Sequence, residues 1–151
     1  MTLPLKEGTC LARGRLEIDE QVLGRAELLG EGDRELIEAV LGRGQSAASV
    51  ARMMRARPRT IQGRVRRLTR RLTSRRFLEA ARALPFLSAE DAALARLRYC
   101  REATYEEICR ESKLTLHQVR RHLDRIAAQV ETIGRMSRTI LSTARRLADS
   151  A

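Results

Sequence analysis

The chain has 151 residues and a formal net charge of +11, and 43% of its residues are hydrophobic but only 3% aromatic. No run approaches the roughly 18 consecutive apolar residues of a membrane-spanning helix, and the N-terminus lacks the order of a signal peptide. The composition is rich in Ala, Leu, Arg and Glu and lacks alternating β-branched runs, so it predicts an all-α fold.

Positive charge is concentrated in the middle of the chain. The formal net charge is −3 over residues 1–50, +11 over residues 51–100 and +3 over residues 101–151. Duplex DNA is the natural partner of such a surface, because each phosphate that Arg or Lys neutralises releases counterions. A solvated basic face and a surface for an acidic protein are the alternatives.

The N-terminal part predicts one short helix and then the start of a second. Pro4 and two glycines argue against a long helix at the start, and Asp19 is placed to cap a helix that runs through Leu29. Asp33 is placed to cap the next helix, which ends near Leu41.

From Asp33 onward, the chain repeats itself at an offset of 58 residues. The stretch from Asp33 aligns with the stretch from Asp91 without a gap for about forty residues. Leu36 falls on Leu94, and Arg52 falls on Arg110. What repeats is mainly a pattern of apolar positions, and that pattern predicts two helix-turn-helix units, at residues 33–87 and 88–131.

In the first copy, Ser46 opens a helix to Met54, a three-residue turn follows, and Pro58 begins the second helix. The inward positions of the first helix are Val50, Ala51 and Met54. The second helix has one apolar stripe, at Ile61, Val65, Leu68 and Leu72. A break at residues 73–74 precedes a further helix, which Pro85 ends.

In the second copy, Ser88 begins a helix that runs to about Arg101. Thr104 with Glu107, and then Thr115 with Gln118, form capping boxes for the next two helices. The last helix keeps one apolar stripe almost to the end of the chain, at Val119, Leu123, Ile126, Val130, Ile133, Ile140, Ala144 and Leu147.

That last helix is about 50 Å long, more than twice what groove reading needs. Residues 132–151 are therefore a candidate seam for a homodimer. The alternative is that this part bends near Gly134 and folds back onto the N-terminal helices.

A helix-turn-helix presents polar residues of its second helix to the major groove and to the phosphates. The predicted DNA-binding residues are Arg57, Arg59, Thr60, Gln62, Arg64, Arg66, Arg67, Arg70 and Arg71 in the first copy, and Thr115, His117, Gln118, Arg120, Arg121, His122 and Arg125 in the second. The first set favours phosphate contacts, with Arg64 and Gln62 as candidate base readers. The second set is mixed and favours discrimination between bases.

The segments T-Y-E-E-I-C at 104–109 and L-T-L-H-Q-V-R-R-H-L at 114–123 resemble region four of bacterial sigma factors of the sigma-70 class. The leading helix from Leu87 to Tyr99 and the segment T-I-Q-G-R-V-R-R-L at 60–68 are similar to the same region. The resemblance implies double-stranded DNA as a partner, RNA polymerase as a second candidate partner, and a bacterial cytoplasm, at the nucleoid, as the location.

The chain also departs from that family. Arg57 stands where the family has a capping Ser, and Gln118 stands where it has Thr. No aromatic-rich region that melts a promoter is present. We therefore expect a transcription regulator or sigma-like factor that does not initiate transcription alone. The rival is a protein-interaction module that mimics region four and binds polymerase or a sigma-regulating partner without reading DNA.

Other chemistries are disfavoured. Cys100, Cys109, His117 and His122 have spacings unlike those of zinc sites, and the three cysteines read as reduced thiols of a cytoplasmic protein. The acidic residues form no acid–base pair, and no glycine-rich phosphate loop is present. We therefore expect no metal, no cofactor and no enzymatic activity.

Overall fold

The structure is a computed structural model, and it describes the backbone of residues 8–149 and the side chains of residues 17–149. Every regular element in this range is helical, which confirms the predicted all-α class. The α-helices are α1 (Gly8–Arg25), α2 (Glu31–Ile37), α3 (Ala47–Met53), α4 (Pro58–Leu72), α5 (Arg75–Ala83), α6 (Ala89–Ala95), α7 (Tyr105–Ser112) and α8 (Leu116–Asp149). None of these described helices combines the length and the apolarity that crossing a bilayer requires.

The first compact unit is Met1–Thr73. In it, α4 packs against α1, α2 and α3. The largest fully buried side chains are Val22, Leu36, Ile37, Ile61, Leu68 and Leu72. Burying one such side chain stabilises the fold by about 1.5–3 kcal/mol. Arg25 Nη1 donates to the carbonyl of Leu72 at 2.9 Å, which ties the end of α4 to α1.

The second compact unit is Ser74–Ala151. In it, α8 packs against α5, α6 and α7. The largest fully buried side chains are Phe77, Leu94, Cys100, Ile108, Val119 and Ile126. Gly134 leaves room for the Glu79 side chain of α5, since a Cβ at this position would lie 3.3 Å from Cδ of Glu79.

The two units repeat one another element by element at the offset of 58. The helices α2, α3 and α4 begin at residues 31, 47 and 58, and α6, α7 and α8 begin at residues 89, 105 and 116. The same offset relates the 3-10 turns Ala26–Leu28 and Leu84–Phe86, and the π-helical turns Glu38–Gly42 and Arg96–Cys100. The helix boundaries thus follow the predicted offset, and this correspondence extends further towards the N-terminus than the sequence pattern showed.

Even the unusual backbone conformations are duplicated. Gly44 and Glu102 have φ of 63° and 55°, and Arg55 and Lys113 have φ of 51° and 58°. These left-handed residues end the helix before each connection, where a positive φ closes a C-terminal turn. The duplication therefore includes the turns as well as the helices.

Local signals located the starts of α3, α4, α6 and α7 correctly. Ser46 and Ser88 each accept a hydrogen bond from the backbone N–H three residues on, at 3.1 and 3.2 Å. Glu107 accepts from the Thr104 N–H at 2.7 Å and donates its own N–H to the Thr104 hydroxyl at 3.3 Å, as a capping box requires. Pro58 is the first residue of α4.

The predicted first helix was wrong in its start and its end. It begins at Gly8 and ends at Arg25, so Asp19 lies inside it and caps nothing. A glycine inside a helix costs only about 1 kcal/mol, and the good helix formers around Gly14 outweigh that cost.

The predicted cap of α2 was also wrong. Gly30 is the N-cap, with φ −66° and ψ 154°, and Asp33 is the third helical residue. The Asp33 carboxylate binds a side chain of α4 instead of the backbone of its own helix.

Two further details differ from the predictions. Met54 was expected to face inward, but it follows the end of α3 and is 44% exposed. The units divide between residues 73 and 74, whereas the sequence pattern placed the division between 87 and 88. The reason is that α5 packs against α8 and the second π-helical turn.

The last helix is continuous from Leu116 to Asp149. Its buried positions end at Gly134, and every described residue from 138 to 149 is exposed. The C-terminal part of α8 thus extends beyond the core of its unit.

Candidate nucleic-acid interface

One side of α4 carries arginines that no acid of the described chain neutralises. We call Arg59, Arg66, Arg67 and Arg70 the arginine face. At about 100° per residue, these positions lie opposite the buried residues Ile61, Leu68 and Leu72 on the helix.

All four side chains of the arginine face are exposed, and they make no ion pair with any described residue. The sequence of α4 itself contains no Asp or Glu. The positive charge of this face is therefore uncompensated within its helix and available to an external anion.

The other predicted residues of α4 have different surroundings. Arg57, at the N-cap, is exposed, as are Thr60 and Gln62, whereas Arg71 is half-buried. Arg64, the predicted base reader, is held against α2: its Nε donates to Asp33 Oδ1 at 2.8 Å, and its Nη2 lies 2.6 Å from the same oxygen.

The second unit contains the equivalent ion pair, again 31 or more residues apart in the chain. Asp91 aligns with Asp33, His122 with Arg64, and Arg125 with Arg67 at the offset of 58. Arg125 Nη2 donates to the two Asp91 oxygens at 2.7 and 2.9 Å, and His122 Nδ1 lies 3.0 Å from Oδ1. His122, a predicted DNA-binding residue, does not point outward: its side chain is only 19% exposed because it packs against this carboxylate.

Asp91 is the only charged residue of the described side chains that is fully buried, at 4% exposure. Burial alone raises the pKa of Asp91, but hydrogen bonds from Arg125, His122 and Ser88 outweigh it, and the pKa lies below its ordinary value. The same contact raises the pKa of Arg125 through the hydrogen bond to Asp91. The carboxylate is therefore ionised at neutral pH and links α6 to α8.

The N-terminus of α8 is capped by the side chains of Thr115 and Gln118. Gln118 Oε1 accepts from the Thr115 N–H and from its hydroxyl, both at 2.9 Å, and the Gln118 N–H lies 3.3 Å from Thr115 Oγ1. The predicted capping box is confirmed. A bidentate contact of the Gln118 amide with adenine needs this oxygen, so base reading by Gln118 competes with capping.

The remaining predicted residues of α8, His117, Arg120 and Arg121, are exposed. Asp124 is exposed as well, and it occupies the position of Arg66 in the repeat. The outward side of α8 is therefore less positive than the arginine face of α4, and it carries a carboxylate that repels phosphate.

Tyr105 was not among the site residues predicted from the sequence. The guanidinium carbons of Arg98 and Arg120 lie 5.2 and 5.9 Å from the centre of its ring, within the range of cation–π contacts. Tyr105 is 37% exposed, at the first position of α7. The contact joins residues from three segments, so no local signal could have located it.

Within the described residues, no group of three or more His, Cys, Asp or Glu side chains is arranged to hold a metal ion. No protein-family model matches the chain, and comparisons with curated proteins and with solved structures found no match. The resemblance to region four of sigma factors therefore stays a prediction from the sequence motifs.

Proposed function

We propose that this protein binds double-stranded DNA sequence-specifically through two helix-turn-helix units. It acts as a transcription regulator or a sigma-like factor, in the bacterial cytoplasm at the nucleoid. RNA polymerase is a second partner, as the sequence resemblance implies.

The observation that carries the proposal is the arginine face. Four exposed arginines, none of them ion-paired with a described residue, lie on one side of a 15-residue helix whose opposite side is buried. A helix of this length spans about 22 Å, and the major groove, about 12 Å wide, admits a helix in this orientation. Arg side chains on both flanks then reach phosphates, while Gln62 and the helix start approach base edges.

A glycine at the centre of this surface supports the same orientation. Gly63 lies on the outward side of α4, and among the described side chains only the flexible end of Arg67 comes within 4 Å of a Cβ at this position, at 3.8 Å. No packing inside the unit requires a glycine here, although glycine destabilises a helix by about 0.5–1 kcal/mol. Close approach of the α4 backbone to DNA gives the residue a function.

The second unit has a different task in this proposal. Its outward side offers His117, Arg120 and Arg121, while Asp124 lowers its general affinity for phosphate. Such a surface contributes discrimination, since a good bidentate contact is worth about 1–3 kcal/mol between bases. The arginine face supplies most of the affinity.

The second candidate function is a protein-interaction module that binds polymerase or a sigma-regulating partner without reading DNA. One observation favours it: the second unit has an open cavity of about 360 Å³, whose lining includes Leu94, Leu97 and Leu114 as well as charged residues. An apolar groove of this kind accommodates a helix or loop of another protein.

Selection of bound duplexes from a random pool distinguishes the two functions. Sequence-specific binding recovers a common site, and its affinity should fall by about tenfold or more in Arg121→Ala, at an energy of about 1–3 kcal/mol per contact. Arg145→Ala, on the exposed end of the same helix, is the control and should leave affinity unchanged. A pool without a common sequence, together with retention of polymerase, would favour the interaction module.

A further inference from the structure

The C-terminal part of α8 carries an apolar stripe that its own unit does not cover. Met136, Ile140 and Leu147 are 60%, 66% and 69% exposed. At about 100° per residue, these three lie within about 30° of one line along the helix, with Ile133 and Ala144 beside them. Every Arg, Asp and Glu between residues 131 and 149 lies at least about 110° round the helix from that line. The stripe is therefore free of charge along its whole length.

A groove continues the stripe towards the N-terminal half of the same helix. It is a cavity of about 380 Å³, and its lining includes Phe86, Gln129, Thr132 and Ile133. Phe86 is 73% exposed, at the end of a 3-10 turn of the same unit. Contiguous exposed apolar surface marks interaction sites, and Ile133, which lines the groove, lies beside the stripe.

We propose that the stripe binds the stripe of a second copy of this chain, with the two α8 helices antiparallel. The protruding side chains of the stripe and the groove lie on the same face of α8. Two copies related by a two-fold axis can therefore pair through this face, each placing its stripe against the other's groove. When Ile140 of one copy is level with Met136 of the other, Leu147 is level with Gln129, at the groove. Leu147 of each copy then lies at the groove of the other copy. A parallel pair would set Leu147 against Leu147 and leave both grooves empty.

Charged side chains do not oppose this pair, because every Arg, Asp and Glu between residues 131 and 149 lies well away from the contacting face of α8. The contact extends over about 27 Å of helix, which is small for a stable interface, so we expect a dissociation constant on the order of 1–100 µM.

Sedimentation of the full chain over a range of concentrations tests the proposal, and it needs no DNA. Wild type should pass from monomer to dimer, and Ile140→Glu should weaken association by at least about a hundredfold, because each dimer loses two buried isoleucines. Leu141→Glu is the matched control: Leu141 is 61% exposed but lies about 110° from the stripe, and its substitution should change nothing. A wild type that stays monomeric at about 200 µM, or equal effects of the two substitutions, would overturn the proposal.

Cross-linking tests the orientation. Under mild oxidation, a mixture of Leu147→Cys and Gln129→Cys chains should form a covalent heterodimer, and Leu147→Cys alone should form no more covalent dimer than wild type. Efficient cross-linking of Leu147→Cys alone would contradict the antiparallel arrangement.

Discussion

Replacing Asp91 with asparagine tests whether a buried carboxylate holds α8 in place. The Asp91 side chain is almost fully buried and accepts contacts of 2.7 and 2.9 Å from Arg125 and 3.0 Å from His122. Asparagine keeps the shape but has one acceptor oxygen, so its NH₂ group must face Arg125 Nη2 where Asp91 Oδ2 accepts a hydrogen bond. A hydrogen bond to a charged group contributes about 1.5–3 kcal/mol, and exposure of the partner reduces that value. We therefore expect Asp91→Asn to lower the free energy of unfolding by about 1–2 kcal/mol.

Urea denaturation followed by circular dichroism measures this loss, since the chain contains no Trp. With a slope of about 1–3 kcal/mol per molar urea, the midpoint should fall by roughly 0.5–1 M. Asp33→Asn is the matched control in the first unit. Its side chain is 27% exposed and has Arg64 as its partner, so its substitution should cost less than about 1 kcal/mol.

The acid dependence of stability tests the same contact. The pKa of Asp91 is lower in the folded than in the unfolded chain, whose Asp pKa is about 3.9. The stabilisation by Asp91 is therefore present above about pH 4–5 and is lost as the pH falls through the folded pKa. The difference between wild type and Asp91→Asn should shrink on acidification. An Asp91→Asn midpoint equal to that of wild type, or a difference independent of pH, would refute the reasoning.

Three smaller changes give further predictions. Gly63→Gln should raise stability by about 0.5–1 kcal/mol yet weaken duplex binding in an anisotropy titration; a gain in both, or a loss in both, would contradict close approach of α4 to DNA. Lys113→Gly should stabilise the chain by about 0.4–1 kcal/mol in thermal unfolding, because φ of 58° strains a non-glycine residue; the opposite substitution in the first unit, Gly44→Ala, should destabilise it. Thr115→Val removes the cap of α8 and should cost about 1 kcal/mol, and unchanged stability would mean that the capping box contributes nothing.

The starts of α3, α6 and α7 could be predicted because their signals are local. Ser46, Ser88 and Thr104 each accept a hydrogen bond from the backbone N–H three residues on, so four consecutive residues of the sequence are enough to identify the helix start. The repeat was visible for a similar reason, since apolar spacing records which side of each helix is buried.

The roles of Asp33 and Asp91 could not be assigned locally, because their partners lie more than 30 residues away. By the local rules, both looked like residues of a helix start. The alignment at the offset of 58 nevertheless contained a signal, since each copy has an acid followed by a cation 31 or 34 residues later. The sequence therefore predicts only part of the site. The apolar stripe of α4 predicts which arginines are exposed, whereas only the tertiary structure shows which residues form ion pairs.

The salt dependence of duplex binding tests the central claim most directly, and it compares two triple variants of equal charge. Arg66, Arg67 and Arg70 are changed to Ala in one variant. Arg34, Arg75 and Arg135, each paired with a Glu four residues away in the chain, are changed in the other. Each phosphate contact contributes about −0.9 to the slope of log K against log salt. The arginine-face variant should lose about 2–3 from the magnitude of this slope, and the control should keep the slope of wild type. Equal slopes for wild type and the arginine-face variant would contradict the role of α4 in binding DNA.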